Sequence, residues 1–186
     1  MSTGDLPRPE VPDAIAVVRD FVNTTDRETD TDELTTGAAL VRYLGTAGLL
    51  TGPARATQED LALALRLRAG LREALELNHD GDDRSLDSLD QALAELPVAL
   101  SWSQGRPALR PTEAGVRGAL ARIGLAAHDA ATADIWWRLK ICAYDECEWA
   151  YYDHSKNRSR SYCEYGCGNK LKTRAYRARR RAAAAG

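Results

Sequence analysis

The sequence predicts an α+β protein in two parts: a mostly helical N-terminal domain with one small β-hairpin, and a compact cysteine-rich segment that ends in a basic helix. Three observations support this prediction. Apolar residues recur at helical spacing through most of the chain up to residue 127. The period changes to two near residues 98 and 135, which indicates short strands. All four cysteines lie between residues 142 and 167.

Length and charge both favour two domains. The 186-residue chain is long enough for a domain at 1–133 and a smaller one at 134–186. Residues 156–186 hold ten Lys and Arg and one acid, a net charge of plus nine. Removing them from the totals of 25 basic and 27 acidic residues leaves 15 and 26, a net charge of minus eleven. The near-neutral total therefore hides an acidic body and a basic C-terminal segment.

The sequence contains neither a membrane-span pattern nor a signal-peptide pattern, and this bears on the cellular location. No apolar run approaches the roughly 18 residues of a membrane span, and the N-terminus has no basic-then-apolar signal pattern. We therefore expect a cytoplasmic protein.

Two helices open the chain. The first is predicted from Asp13, a candidate N-cap, to about Asn23. The polar run at 24–36 has almost no apolar residue to bury and predicts a loop. Thr35 or Thr36 can cap the second helix.

The third helix has the strongest pattern. It is predicted from Gln58 to Asn78, with leucines at spacings of four along one face. A fourth, short helix ends before Pro97, and either Ser85 or a capping box of Ser88 with Gln91 begins it.

A small hairpin and a fifth helix complete the first domain. Alternation over residues 98–102, turn residues at 103–105 and a second run at 108–110 predict the hairpin. The fifth helix is predicted from about Thr112 to Ala127.

The second domain is predicted to begin with another hairpin. Small and polar residues at 128–134 indicate the boundary, and residues 135–141 alternate as a strand does. The aromatic residues at 149–152 continue beyond Cys147, so the hairpin carries the first cysteine pair at its tip. We favour a packed core against a metal site as the role of these aromatic residues, and base stacking is the alternative.

The cysteines are Cys142, Cys147, Cys163 and Cys167, spaced as Cys-x4-Cys, fifteen residues, then Cys-x3-Cys. Two close pairs offer four sulfurs to one ion, and clustered thiols in a reducing compartment are more often metal ligands than disulfides. We predict one structural Zn²⁺, with disulfides or an iron–sulfur centre as alternatives. Four thiolates leave no position for water, so the site contributes to folding, on the order of 10 kcal/mol, and does not catalyse.

A basic helix is predicted over 169–181, with Cys167 in or just before its first turn, as in treble-clef fingers. The candidate nucleic-acid contacts are the ten cations of this segment: Lys156, Arg158, Arg160, Lys170, Lys172, Arg174, Arg177, Arg179, Arg180 and Arg181. The residues expected to pack inward are Leu171, Ala175 and Ala178. Basic C-terminal runs also occur as solvated tails, but arginines fixed to a metal-ordered scaffold favour phosphate binding.

The C-terminal segment resembles the CGNR zinc-finger family of bacterial proteins, in which such a finger closes the chain. The matching features are the four cysteines, Asp153, Ser155, Asn157, Arg160, Gly168, Asn169 and the basic helix. The body resembles the ABATE domain, described as a stress-induced transcription regulator, in its DFVNT pattern at 20–24 and its helix order. Lys170 replaces the arginine of the family's name, which keeps the charge but loses bidentate geometry. The resemblance implies nucleic-acid binding.

These features, together with the family resemblance, predict a DNA-binding transcription regulator, and the resemblance implies that it is bacterial and linked to stress. Its N-terminal domain is expected to sense an unidentified small molecule or to dimerise. A homodimer is expected, because many bacterial regulators read two half-sites. An RNA-binding protein and a zinc-stabilised protein-interaction module are the alternatives.

An enzyme is not expected. The three histidines, at 79, 128 and 154, stand alone, and the chain has no serine elbow, glycine-rich phosphate loop or carboxylate pair with a partner histidine. Asn23 and Thr24 can line a ligand pocket, although a cap at the end of the first helix is the preferred role.

Overall fold

A computed structural model describes residues 10–184 and confirms the α+β class. The helices in this part of the chain are α1 (Asp13–Val22), α2 (Gly37–Thr46), α3 (Gln58–Asp80), α4 (Asp87–Ala94), α5 (Gly115–Thr132) and α6 (Cys167–Ala184). Three antiparallel hairpins are formed by β1 (Thr25–Asp26) with β2 (Thr31–Asp32), β3 (Val98–Ser103) with β4 (Arg106–Pro111), and β5 (Leu139–Ile141) with β6 (Ala150–Tyr152). None of the helices described within 10–184 combines the length and apolarity that crossing a bilayer requires.

The central element is α3, which contacts α1, α2, α4, α5 and β5. Its leucine stripe at residues 63, 67, 71 and 75 is no more than 2% exposed, as the predicted spacing requires. Thr57 begins the helix with a capping box, because its hydroxyl accepts from the Asp60 N–H while the Asp60 carboxylate accepts from the Thr57 N–H. Gly81 ends it in the left-handed conformation, with φ of 71°.

Several predicted element ends were wrong. Neither Asp13 nor Ser85 nor Ser88 caps a helix, since α1 begins after Pro12 and α4 after Leu86 without a side-chain cap. The structure also shows two-residue strands, β1 and β2, inside the predicted loop at 24–36. Packing of the neighbouring elements, rather than local caps, sets these boundaries.

The stretch predicted as a domain boundary belongs mostly to a helix. Residues 128–132 continue α5, which packs against α1, and the small side chains of Ala126 and Ala130 are buried. The predicted strand at 135–141 is also shorter, because Trp136–Arg138 form a 3-10 turn before β5.

The β3–β4 hairpin presents its large apolar side chains to solvent. Its turn, Gln104-Gly105, has φ of 51° and 77°, typical of a type I′ hairpin turn. Small residues, among them Ala99 and Ser101, occupy the half-buried face, whereas Leu100 and Trp102 are 73% and 75% exposed. We call the outward side the apolar face; it consists of Val98, Leu100, Trp102 and Leu109.

The β5–β6 hairpin belongs to the same hydrophobic core as the helices. Leu139, Ile141 and Ala150 are at most 5% exposed and pack with residues of α1, α3 and α5. The Asn78 side-chain amide, on α3, donates to the carbonyl oxygens of Trp136 and Leu139, both at 3.0 Å. The division into domains at residue 134 stays a prediction.

The DFVNT segment joins the body to this hairpin. The Asn23 amide nitrogen donates to the Ala150 carbonyl at 2.9 Å, and the Ala150 N–H donates back to the Asn23 amide oxygen at 2.8 Å. The side chain thus pairs with β6 as the backbone of a neighbouring strand would. Thr24 donates to the Phe21 carbonyl at 2.8 Å at the end of α1, and Arg68 donates to Thr24 at 2.9 Å.

We expect the substitution Asn23→Ala to lower the free energy of unfolding by about 2–4 kcal/mol, because it leaves a buried N–H and a buried carbonyl of Ala150 unpaired. Chemical denaturation of the zinc-loaded chain measures the change. Asn157→Ala, at an exposed position of the finger, is the matched control and should shift the value by less than about 0.5 kcal/mol. Equal effects of the two substitutions would contradict this account of Asn23.

Candidate metal centre and basic helix

The fold brings the four cysteines together. Cys142 follows β5 and Cys147 precedes β6, whereas Cys163 lies in the next loop and Cys167 is the first residue of α6. Their sulfur atoms lie within 4.8 Å of one another, with 3.8 Å between Cys147 and Cys163 and 3.5 Å between Cys163 and Cys167. Tetrahedral zinc with bonds of about 2.3 Å requires sulfur separations of about 3.8 Å. All four are free thiols, so the cluster fits one Zn²⁺ as predicted.

The backbone around the cluster suits thiolate ligands. The Cys163 N–H donates to the Cys142 sulfur at 3.5 Å. Cys167 lies at the N-terminus of α6, where the helix dipole favours negative charge. The turn into α6 depends on Gly166, whose φ is 80° and whose carbonyl accepts from the Asn169 N–H at 2.9 Å.

The four cysteine thiols must lose their protons to bind a metal ion, because the thiolate is the ligand. Burial raises the pKa of Cys147 and Cys163 to about 12 and that of Cys167 to about 11. These thiols are therefore protonated at neutral pH unless a cation displaces the protons. The apparent zinc affinity consequently falls as the pH falls, by about tenfold per pH unit for each proton displaced.

A buried carboxylate shapes the loop between the two cysteine pairs. Asp153 is 0% exposed and accepts from Lys140 Nζ at 3.2 Å and from the N–H groups of Ser155 and Arg160, both at 2.9 Å. Burial alone would raise the pKa of Asp153, but these donors hold it below its ordinary value. The Tyr151 hydroxyl closes the loop by donating to the Arg160 carbonyl at 2.5 Å.

Only the start of α6 packs against the finger. Leu171 contacts the cysteine cluster, whereas every residue from 172 to 181 is exposed. The expectation that Ala175 and Ala178 pack inward was therefore wrong, because α6 extends beyond the finger that anchors it.

One face of α6 lines an open cleft of about 610 Å³ beside the loop at 143–147. We call it the basic cleft; its charged and aromatic lining residues are Tyr144, Glu146, Lys170, Arg174, Arg177 and Arg181. Four of the ten predicted contact residues are thus brought together here.

Two cations of the basic cleft are already paired with carboxylates. Lys170 Nζ lies 2.7 Å from Glu28, which belongs to the β1–β2 turn, and Arg174 lies 2.7 Å from Glu146. Hydrogen bonds to these acids raise the pKa of Lys170 and of Arg174. The Tyr144 hydroxyl also donates to Glu146 and, together with Arg174, lowers the pKa of that carboxyl.

The remaining predicted contacts lie outside this cleft. Arg158 pairs with Asp134 at 2.9 Å, and Lys156 and Arg160 belong to the loop that Asp153 shapes. The other cations of α6 are exposed and form no ion pair within the described part of the chain; they are Lys172, Arg179 and Arg180.

Sequence reasoning missed the two acids that pair with cations of the cleft, Glu146 and Glu28. Glu146 could have been noticed beside Cys147, because a residue next to a ligand is held near the metal. Nothing local connects Glu28 with Lys170, which lies 142 residues further along the chain.

Comparison with known proteins gives two matches that divide the chain between them. The family model of the CGNR zinc finger matches residues 138–180, which include all four cysteines and most of α6. The ABATE family model, described as "Putative stress-induced transcription regulator", matches residues 16–134, well over half of the chain. No curated protein matches the chain.

We expect a chelator to unfold the metal centre and α6 but to leave β5 and β6 in place, because that hairpin is part of the helical core. Hydrogen exchange measures this directly. The amide of Leu171 should lose its protection when zinc is removed, whereas the amides of Lys140 and Ala150 should keep theirs. Equal loss at all three positions would show that the hairpin also depends on the metal.

Proposed function

Because the chain belongs to the ABATE family and ends in a CGNR zinc finger, we propose that it is a DNA-binding transcription regulator of the bacterial cytoplasm, linked to stress. The supporting observation is the projecting half of α6. It is anchored at one end by the metal centre and carries exposed cations along residues 172–181. We propose no catalytic step, since four thiolates complete a tetrahedral zinc site.

The dimensions of α6 favour duplex DNA. Residues 172–181 extend over about 14 Å at 1.5 Å per residue, and the major groove of B-form DNA, about 12 Å wide, admits an α-helix. The major groove of A-form RNA is too narrow for one. Arginine guanidinium groups can contact phosphates on either side of the groove.

RNA binding is the second candidate, and specific side chains favour it. Tyr165 and Tyr176 are 63% and 54% exposed and could stack on unpaired bases. By contrast, Tyr151 is 4% exposed. Tyr151 and Trp149 both pack with the cysteine cluster, so these two side chains belong to the core around the metal centre.

We expect the zinc-loaded chain to bind mixed-sequence duplex DNA more tightly than structured RNA, and the affinity to fall steeply with salt. Fluorescence anisotropy at several salt concentrations measures both. The double substitution Arg177→Ala with Arg181→Ala should weaken DNA binding roughly 10- to 100-fold and reduce the salt slope by about two. Binding to neither polymer at low salt would refute the nucleic-acid proposal and favour a protein-interaction module with an acidic partner.

The homodimer part of the proposal rests on the β3–β4 hairpin. Ser103 and Arg106 pair next to the turn, and along an antiparallel pair the residues alternate between facing the partner strand and facing outward. The N–H and C=O groups of residues 98, 100 and 102 on β3 therefore point outward, as do the backbone groups of residues 107, 109 and 111 on β4. Pro107 and Pro111 lack an N–H, which blunts the edge of β4. The outer edge of β3 has no proline, and no other described strand pairs with it.

We propose that β3 of a second copy occupies this edge. Two β3 strands can pair antiparallel about a two-fold axis near Leu100 and form a four-stranded sheet. Their apolar faces would then become continuous, and Leu100 and Trp102 would lose much of their exposure. The hairpin is thus the dimerisation element of the N-terminal domain.

The full chain is expected to have a mass near twice its 20.3 kDa at about 50 μM in light scattering after size exclusion. Leu100→Lys should shift it to the monomer, because two lysines would face each other across the axis. Leu109→Lys makes the same change on the same face of the blunted strand and should leave the dimer intact. A monomeric unsubstituted chain, or a dimer that survives Leu100→Lys, would refute pairing through β3.

A further inference from the structure

We infer that the basic cleft is the surface that holds the nucleic-acid backbone, and that Glu28 and Glu146 occupy places there that phosphates take on binding. This inference rests on the proposed function and names the face of α6 that acts. It also assigns a role in nucleic-acid affinity to two carboxylates, Glu28 of the β1–β2 turn and Glu146 beside the metal centre.

The cations of the cleft form one stripe. At 100° per residue, positions 170, 174, 177 and 181 fall within an arc of about 60° on the helix. Lys172 and Arg179 lie on the opposite side and do not line the cleft. The helix therefore offers two sets of cations, of which one faces a cleft and the other faces open solvent.

The two ion pairs of the cleft are suited to exchange. A carboxylate and a phosphate present the same kind of acceptor to an ammonium or guanidinium group. All four partners are exposed, with side-chain exposures of 43% and 53% for Lys170 and Glu28 and of 68% and 60% for Arg174 and Glu146. Exposed ion pairs are weak and screened by salt, so a polyanion can replace them.

Both carboxylates are placed by other groups. Glu146 accepts from the Tyr144 hydroxyl, which fixes it opposite Arg174. The N–H of Glu28 donates to Asp26 at 2.8 Å, which shapes the tip of the β1–β2 turn. That turn is fastened to α3 through the ion pair of Asp32 with Arg68, at 2.6 Å. The helical body therefore contributes charge to the cleft directly.

The consequence is a cleft with four cations, of which two are neutralised by the chain itself. Binding of a phosphate at Lys170 or Arg174 must displace a carboxylate or approach it closely, and like charges repel. Each acid therefore lowers affinity. A change in the position of the β1–β2 turn would alter the charge of the cleft, which gives the body a way to regulate binding.

The test uses the full zinc-loaded chain and duplex DNA. We expect Glu28→Gln and Glu146→Gln each to tighten binding roughly 3- to 10-fold at about 100 mM salt, and more at lower salt. Glu164→Gln, which removes an exposed acid of the finger that pairs with neither Lys170 nor Arg174, is the matched control and should leave affinity unchanged. Zinc content is measured for every variant, because Glu146 neighbours Cys147. Unchanged affinity in either glutamine variant overturns the role assigned to that carboxylate.

The face of α6 is tested by two double substitutions that remove the same charge. Arg177→Ala with Arg181→Ala removes two cations from the cleft. Lys172→Ala with Arg179→Ala removes two cations from the opposite face of α6. The first pair should weaken binding at least about fivefold more than the second, since only its cations face the bound backbone. Equal losses overturn the inference and leave the proposed function standing, whereas an unsubstituted chain that binds no DNA refutes the proposed function itself.

Discussion

The buried contact between Asn23 and Ala150 is the interaction on which the arrangement of the molecule depends. It joins the end of α1 to the edge of β6 through two hydrogen bonds at 2.9 and 2.8 Å, in a site where Asn23 is 8% exposed. On the other strand, the Asn78 amide donates to the Leu139 carbonyl. Buried backbone groups require partners, so the hairpin has one register against the helices. That register fixes where the metal centre and α6 lie relative to the body.

Order in the C-terminal segment therefore comes from two sources. The apolar core holds β5 and β6, and Asp153 with Lys140 holds the loop that follows. The metal has to order only the remainder, which is the tip of the β5–β6 hairpin, the second cysteine pair and α6. Because α6 has little apolar surface in contact with the finger, its direction depends on the metal ligand Cys167 and on the ion pairs of Lys170 and Arg174 more than on apolar packing. A helix held in this way projects beyond the finger, and its residues 172–181 are exposed.

Local patterns could be predicted from the sequence, and long-range polar contacts could not. The leucine stripe of α3 and the cysteine spacing determine an element and a site by themselves, and both were predicted correctly. Asn23 was expected only at a helix end or in a pocket, because nothing near it in sequence reveals that Ala150 lies opposite. Caps at Ser85 and Ser88 failed for the related reason that tertiary packing decides where α4 begins. Glu28 and Lys170 come into contact only after the β1–β2 and β5–β6 hairpins have both packed in place.

These contacts show how the acidic body and the basic C-terminal segment are arranged relative to each other. An acidic body and a basic segment would attract each other without specificity, but here the contact between them includes single pairs, such as Glu28 with Lys170 and Asp134 with Arg158. These pairs leave the outer cations of α6 uncovered while the net negative body repels a polyanion from the other sides. If the chain binds DNA as proposed, this distribution of charge would steer a duplex to the end of the molecule where α6 projects. In that case the acidic body would favour one orientation of the bound polymer by repulsion, in addition to the pairing of Glu28 with Lys170.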